Sequence, residues 1–174
     1  MVTKQTEADF ERLSWHDCCI WGLKLGAGDP DVEDWTSDLF LDIDFIVEWI
    51  CGIAGGAQFR VAPATLTFHG VTDLRINIDW GDTNFRQALH QVSIHQIERE
   101  PVREQQVYLD RPYYSWRIVL NWPKAGEIAF GAVGFTQLLL ADPVLTSKQH
   151  LSLRERSEIL RSLKAPPPSG SGRP

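Results

Sequence analysis

The chain has 174 residues, of which 43% are hydrophobic and 23% charged. That balance excludes a disordered or fibrous chain, and the length suits one domain that buries roughly 70% of its unfolded surface. The net charge of −6 is uneven: residues 1–50 carry 12 acids and 3 bases (−9), whereas residues 101–174 carry 6 acids and 10 bases (+4). Excess acid repels nucleic acid, so no DNA or RNA partner is expected. The same charge can steer a basic protein toward the surface.

Residues 8–13 suit one short helical turn. Ser14 to Leu25 reads as a first strand, closed by a turn over Gly26–Pro30, with an acidic loop over residues 29–34. The clearest segment follows. Leu39, Leu41, Ile43, Phe45, Val47 and Trp49 alternate with Asp38, Phe40, Asp42, Asp44, Ile46 and Glu48. Period two over this length predicts a half-buried strand of an antiparallel sheet, with a row of acids facing water.

Gly52–Gly56 is a connection. Phe59–Phe68 is a strand in which Pro63 cannot donate to a ladder, which predicts an edge strand or a break at the proline. Residues 73–80 alternate again. Gly81–Asn84 is a turn, and Phe85–Leu89 is either a helical turn or a loop. Strands are expected at Val92–Arg99, Gln105–Leu109 and Tyr114–Trp122. Pro123–Gly126 connects the last of these to a single returning strand over Glu127–Leu140, where Gly131 and Gly134 suggest a bulge.

Only the C-terminal part looks helical. Ser152 and Glu155 match the S-x-x-E capping box, and Leu153, Ile159, Leu160 and Leu163 give an apolar stripe over 152–164. Residues 165–174, rich in Pro, Gly and Ser, read as a disordered tail. About eight short strands and one terminal helix predict a mainly β fold, an antiparallel β-sandwich or open barrel, in one domain over 1–164.

The candidate sites are few. His16 beside Asp17 could be an acid/base pair. Strand neighbours face opposite sides, however, so the expectation for Trp15, His16 and Asp17 is a structural motif. Asp42 and Asp44, with Cα atoms roughly 6.5–7 Å apart, could serve glycoside hydrolysis. With Asp38 and Glu48 in the same row, they read instead as a charged outer face for a basic protein. Trp35, in the acidic loop, is the tryptophan most open to a partner; the other six are expected to pack in the core. His69, His90, His95 and His150 show no metal-ligand spacing, and neither a metal nor a cofactor is expected. Cys18, Cys19 and Cys51 form no C-x-x-C and fit free buried thiols in a reducing compartment. The N-terminus has no signal-peptide core, and the longest mostly apolar run, residues 129–141, is too short to span a bilayer. A cytoplasmic protein without a membrane segment is expected, and its oligomeric state is open.

Ser14-Trp15-His16-Asp17, the alternating strand from Asp38 to Glu48, Val61–Phe68 and Val71–Leu74 together resemble a loose group of small, mostly uncharacterised bacterial β-rich proteins. Some of these are similar to immunity proteins of polymorphic toxin systems. The resemblance covers residues 14–140 and brings no catalytic residues with it. It implies a bacterial intracellular binding protein. Two readings follow: a non-enzymatic protein-binding module with an acidic face, of immunity type and directed at a basic toxin; or a small-molecule-binding or hydrolytic β-barrel with an aromatic-lined cleft holding His16, Asp17, Asp42 or Asp44.

Overall fold

The alternation over residues 38–49 produces the longest strand, β3 (Ser37–Cys51), in the computed structural model, which describes residues 3–52, 56–80 and 91–164. The turn at Gly81–Asn84, the segment Phe85–Leu89, His90, the middle of the Gly52–Gly56 connection and the tail after 164 lie outside the described residues. Around β3 stand β1 (Lys4–Thr6), β2 (Cys19–Ala27), β4 (Ala57–His69), β5 (Thr72–Asn77) and β6 (Val92–Pro101). After them come β7 (Tyr114–Trp122), β8 (Glu127–Ala132), β9 (Gly134–Leu139) and β10 (Val144–Thr146). All pairings are antiparallel, in the order β1-β9-β4-β3-β2-β6-β7-β8-β5, with β10 beside β4. The protein is mainly β: one open sheet, not closed into a barrel.

The sheet bends over its own core. On β2, Cys19 and Ile20 pair with both β3 and β6 and so join the two halves. Rings then meet across the bend: Phe68 of β4 lies 5.0 Å from Trp116 of β7 and 4.7 Å from Phe130 of β8. Leu39, Leu41, Ile43 and Phe45 pair with Phe68, Leu66, Ala64 and Ala62, and all eight are buried. This is the apolar face that period two predicts.

Several expectations are corrected. The first strand starts at Cys19, because Trp15–Asp17 form a turn in which Asp17 has φ 61°. Pro63 interrupts nothing and sits inside the sheet. Its carbonyl accepts from Leu140 N at 2.8 Å, so its missing N–H faces the gap where β9 has ended and β10 has not begun. No ladder bond is lost there. Residues 105–109 belong to a helix, α1 (Arg103–Leu109). Its sequence Arg-Glu-Gln-Gln opens with strong helix formers and lacks strand alternation. The returning strand is two strands. β8 pairs with β7 and β5, the chain crosses at Val133, and β9 pairs with β4 and β1. Gly131 is required there, because a Cβ would collide with the Tyr113 hydroxyl.

The tryptophans do not gather in the core. Trp15 and Trp116 are buried, whereas Trp35, Trp49 and Trp122 are exposed. The terminal helix forms as expected, as α2 (Leu153–Lys164). Ser152 N donates to Glu155 at 2.8 Å and Glu155 N donates to the Ser152 hydroxyl at 3.2 Å, completing the capping box. The Ser152 hydroxyl and N–H, both donating to it, hold the Glu155 carboxyl below its usual range. The cap is therefore intact at neutral pH and is lost as pH falls through that lowered value.

Candidate functional site

The acidic row of β3 is not an open surface. A bulge between Ile46 and Glu48 leaves Val47 unpaired, and Ile46 and Glu48 lie opposite the adjacent residues Val61 and Arg60. Adjacent strand residues face opposite sides, so Glu48 leaves the row of Asp42 and Asp44. It pairs with Arg60 at 3.0 Å. Asp38 accepts from Gly70 N at 3.1 Å and contacts His69 Nδ1 at 3.1 Å, and His69 Nε2 reaches the Thr136 hydroxyl at 2.9 Å.

Asp42 and Asp44 receive Arg156 from α2. Its guanidinium reaches both carboxylates and donates to the Ile43 carbonyl at 3.3 Å. Asp44 is 0% exposed, and its other oxygen accepts from Trp21 Nε1 and Leu151 N, each at 2.8 Å. Asp42 is half-exposed, and burial raises its carboxyl above the usual value although Arg156 opposes the shift. The expectation of a solvated acidic face fails here because a basic residue 112 positions away in the chain covers it.

The Trp15-His16-Asp17 motif is a tertiary junction. Trp15 is buried and donates Nε1 to Gln137 at 2.7 Å, while Gln137 donates to Gln5 at 2.6 Å. His16 Nδ1 lies 3.0 Å from the His95 carbonyl. Its Nε2 lies 3.6 Å from Asp17, against the expectation that the two side chains diverge. The positive φ of Asp17 is the reason, since the strand rule does not hold in a turn.

The thiols divide by burial. Cys18 and Cys19 are buried and Cys51 is exposed, which corrects the expectation for Cys51. Loss of solvation pushes Cys18 up to about 12, and it does the same for Cys19 with help from the negative charge of Asp44. The thiolate is the reactive form, so both are inert at neutral pH. Iodoacetamide at pH 8 is expected to modify Cys51 alone in the native protein and all three thiols in urea. Mass spectrometry showing rapid native labelling of Cys19 would contradict this.

Trp35 is where the sequence places it: 78% exposed, in the loop between β2 and β3. That loop carries Asp29, Asp31 and Glu33, all exposed, and the half-buried Asp34. The Thr36 hydroxyl and N–H hold the Asp34 carboxyl below its usual range, so it stays ionised. A groove of about 610 Å³ runs beside the loop, lined among others by Trp35, Asp38, His69, Arg111 and Tyr113. Leu109, the last residue of α1, also stands in its wall, and Val107 and Tyr108 just before it are each 84% exposed. Sequence reasoning missed these two, because it assigned residues 105–109 to a strand.

Among the described residues, no helix is long and apolar enough to cross a membrane, and no group of three His, Cys, Asp or Glu side chains gathers as a metal site. In comparisons with known proteins, no family model, no curated protein and no solved structure matches the chain.

Proposed function

We propose that this protein is a non-enzymatic binding module that receives a basic segment of a protein partner in the groove beside Trp35. The observation that carries the reading is the exposed Trp35 indole among three exposed acids and the half-buried Asp34 at the edge of a 610 Å³ groove. Tryptophan and tyrosine are the side chains most often responsible for interface energy. A large exposed apolar group in an acidic rim suits a cationic partner with an apolar anchor. Asp42, Asp44 and Glu48, expected to meet the partner, are occupied by Arg156 and Arg60, so the loop and the α1 end take over that role. Asp38 remains in the groove wall. In the immunity-type form of this reading, which the resemblance suggests, the partner is a basic toxin domain.

The test is affinity capture from the native host at low salt, followed by titration calorimetry with the recovered protein. Trp35→Ala should weaken binding by about 2 kcal/mol or more, roughly 30-fold. Glu33→Lys should slow association and flatten its salt dependence. Recovery of only acidic partners, or of a partner indifferent to Trp35→Ala, would overturn the reading. In the immunity-type form, the gene of the captured protein should lie beside that of this chain.

A further inference from the structure

A second concavity, sharing no lining residue with the Trp35 groove, lies over the Trp15-His16-Asp17 turn. It measures about 440 Å³ and is lined among others by Asp17, Cys19, Gln91, Ser93, Gln149 and His150. That volume falls within the range of small-molecule sites, about 300–1,000 Å³. Its walls come from distant parts of the chain: the turn before β2, the start of β6, the end of β7 and the segment leading to α2.

Among the described residues of this lining, Asp17 is the only carboxylate. Its side chain is 18% exposed, and it is held from three sides. Asn121 donates to one oxygen, Gln149 Nε2 donates to the other at 2.7 Å, and Asp17 N donates to the Ile94 carbonyl at 2.8 Å. The left-handed backbone of Asp17 is the conformation that aims the group this way. Two amides orient the carboxylate but bring no countercharge. The contrast with Asp44 is direct. Both carboxylates act on the Cys18 thiol, and Asp44 has the Arg156 guanidinium. Among the described residues, no Lys or Arg lies within ion-pair distance of Asp17; its nearest basic group is the His16 imidazole at 3.6 Å.

The cleft is thus open to solvent, with a partly buried carboxylate in its wall. Partial burial strengthens the attraction of such a carboxylate for a cation. A metal ion would need several hard ligands together, and the described residues gather no such group. Cys19, held protonated, adds neither charge nor a nucleophile. We infer that this cleft binds a small organic cation carrying a guanidinium or primary ammonium group, with Asp17 as its counter-ion. The inference stands apart from the protein-binding reading and does not depend on it.

The test uses the full chain and two probes of matched shape, n-butylguanidinium and n-butylurea, which differ in charge. In titration calorimetry the cation should bind with one-to-one stoichiometry, and butylurea should bind about tenfold more weakly or worse. Asp17→Asn keeps the size and tolerates the left-handed backbone, and it should cost the cation at least about tenfold. Ser93→Arg, which places a guanidinium on the cleft wall in cis, should abolish binding while Asp17 stays in place. It serves if Asp17→Asn fails to fold by circular dichroism. Equal affinity for the two probes, no measurable binding of the cation, or cation binding that survives Ser93→Arg would overturn the inference. A blocked Arg-containing tripeptide tested alongside distinguishes a free cation from a side chain offered by a partner. Binding of butylguanidinium without the tripeptide assigns the site to free molecules.

Discussion

Arg156→Leu should lower the unfolding free energy by about 3–5 kcal/mol. The change will appear as a lower midpoint of urea unfolding with a nearly constant slope. The guanidinium is 4% exposed and bridges Asp42 and Asp44, with the Trp21 ring 5.4 Å away. Asp44 has no access to water. Without Arg156 its carboxylate keeps the Trp21 and Leu151 N–H bonds but loses its countercharge, and a buried unpaired charge is far more costly than a missing apolar contact. α2 should also loosen, since Arg156 is the one residue between 153 and 161 that is fully buried. The double variant Arg156→Leu/Asp44→Leu should recover part of the loss. Recovery will be incomplete, because Trp21 Nε1 and Leu151 N are then left without their acceptor. A single variant within about 1 kcal/mol of the parent would contradict this account.

Trp116→Ala should cost a similar amount, about 3–5 kcal/mol. Trp116 is fully buried on β7 and touches Phe10, Phe68, Tyr114 and Phe135 at ring-centroid distances of 5.0–6.0 Å. Its indole N–H donates to the Ala132 carbonyl at 3.2 Å. These neighbours come from both halves of the bent sheet and from the 3₁₀ turn Glu7–Arg12, so no single element can close the cavity. Arg99 also lies 5.8 Å from the Trp116 ring and 4.1 Å from Phe10, pairing with Glu7. Removing the indole therefore disturbs a charged contact as well as an apolar one. Trp116→Phe, which keeps most of the ring area, should cost well under half as much in the same urea titration. Equal losses for the two variants would mean that the hydrogen bond, not the packing, dominates.

The burial of Asp44 changes how charge reversal on β3 reads. Lysine at position 44 would face Arg156 in the interior and unfold the protein. Loss of partner binding by that variant would carry no information about an interface. Reversal at Glu33, on an exposed loop, separates the two effects.

What the sequence legibly carries is local. Alternation fixed by the pleat marks Leu39, Leu41, Ile43 and Phe45 as core, and Ser152 with Glu155 marks the start of α2. Trp35 reads as exposed because turn and acidic residues surround it. Local rules also misled where one residue broke the period. The unpaired Val47 put Glu48 on the opposite face, Val133 divided one apparent strand into two, and the left-handed Asp17 brought its carboxylate toward His16.

The chain alone determined a mainly antiparallel β protein with one capped terminal helix, because hydrophobic period and cap chemistry act over a few neighbours. Tertiary structure decided which acids are free. Whether Asp44 meets water or Arg156, and how the Asp17 carboxylate is oriented, depends on groups more than a hundred residues away. Coulomb attraction and desolvation act through space, and no spacing along the chain encodes which distant residue will arrive.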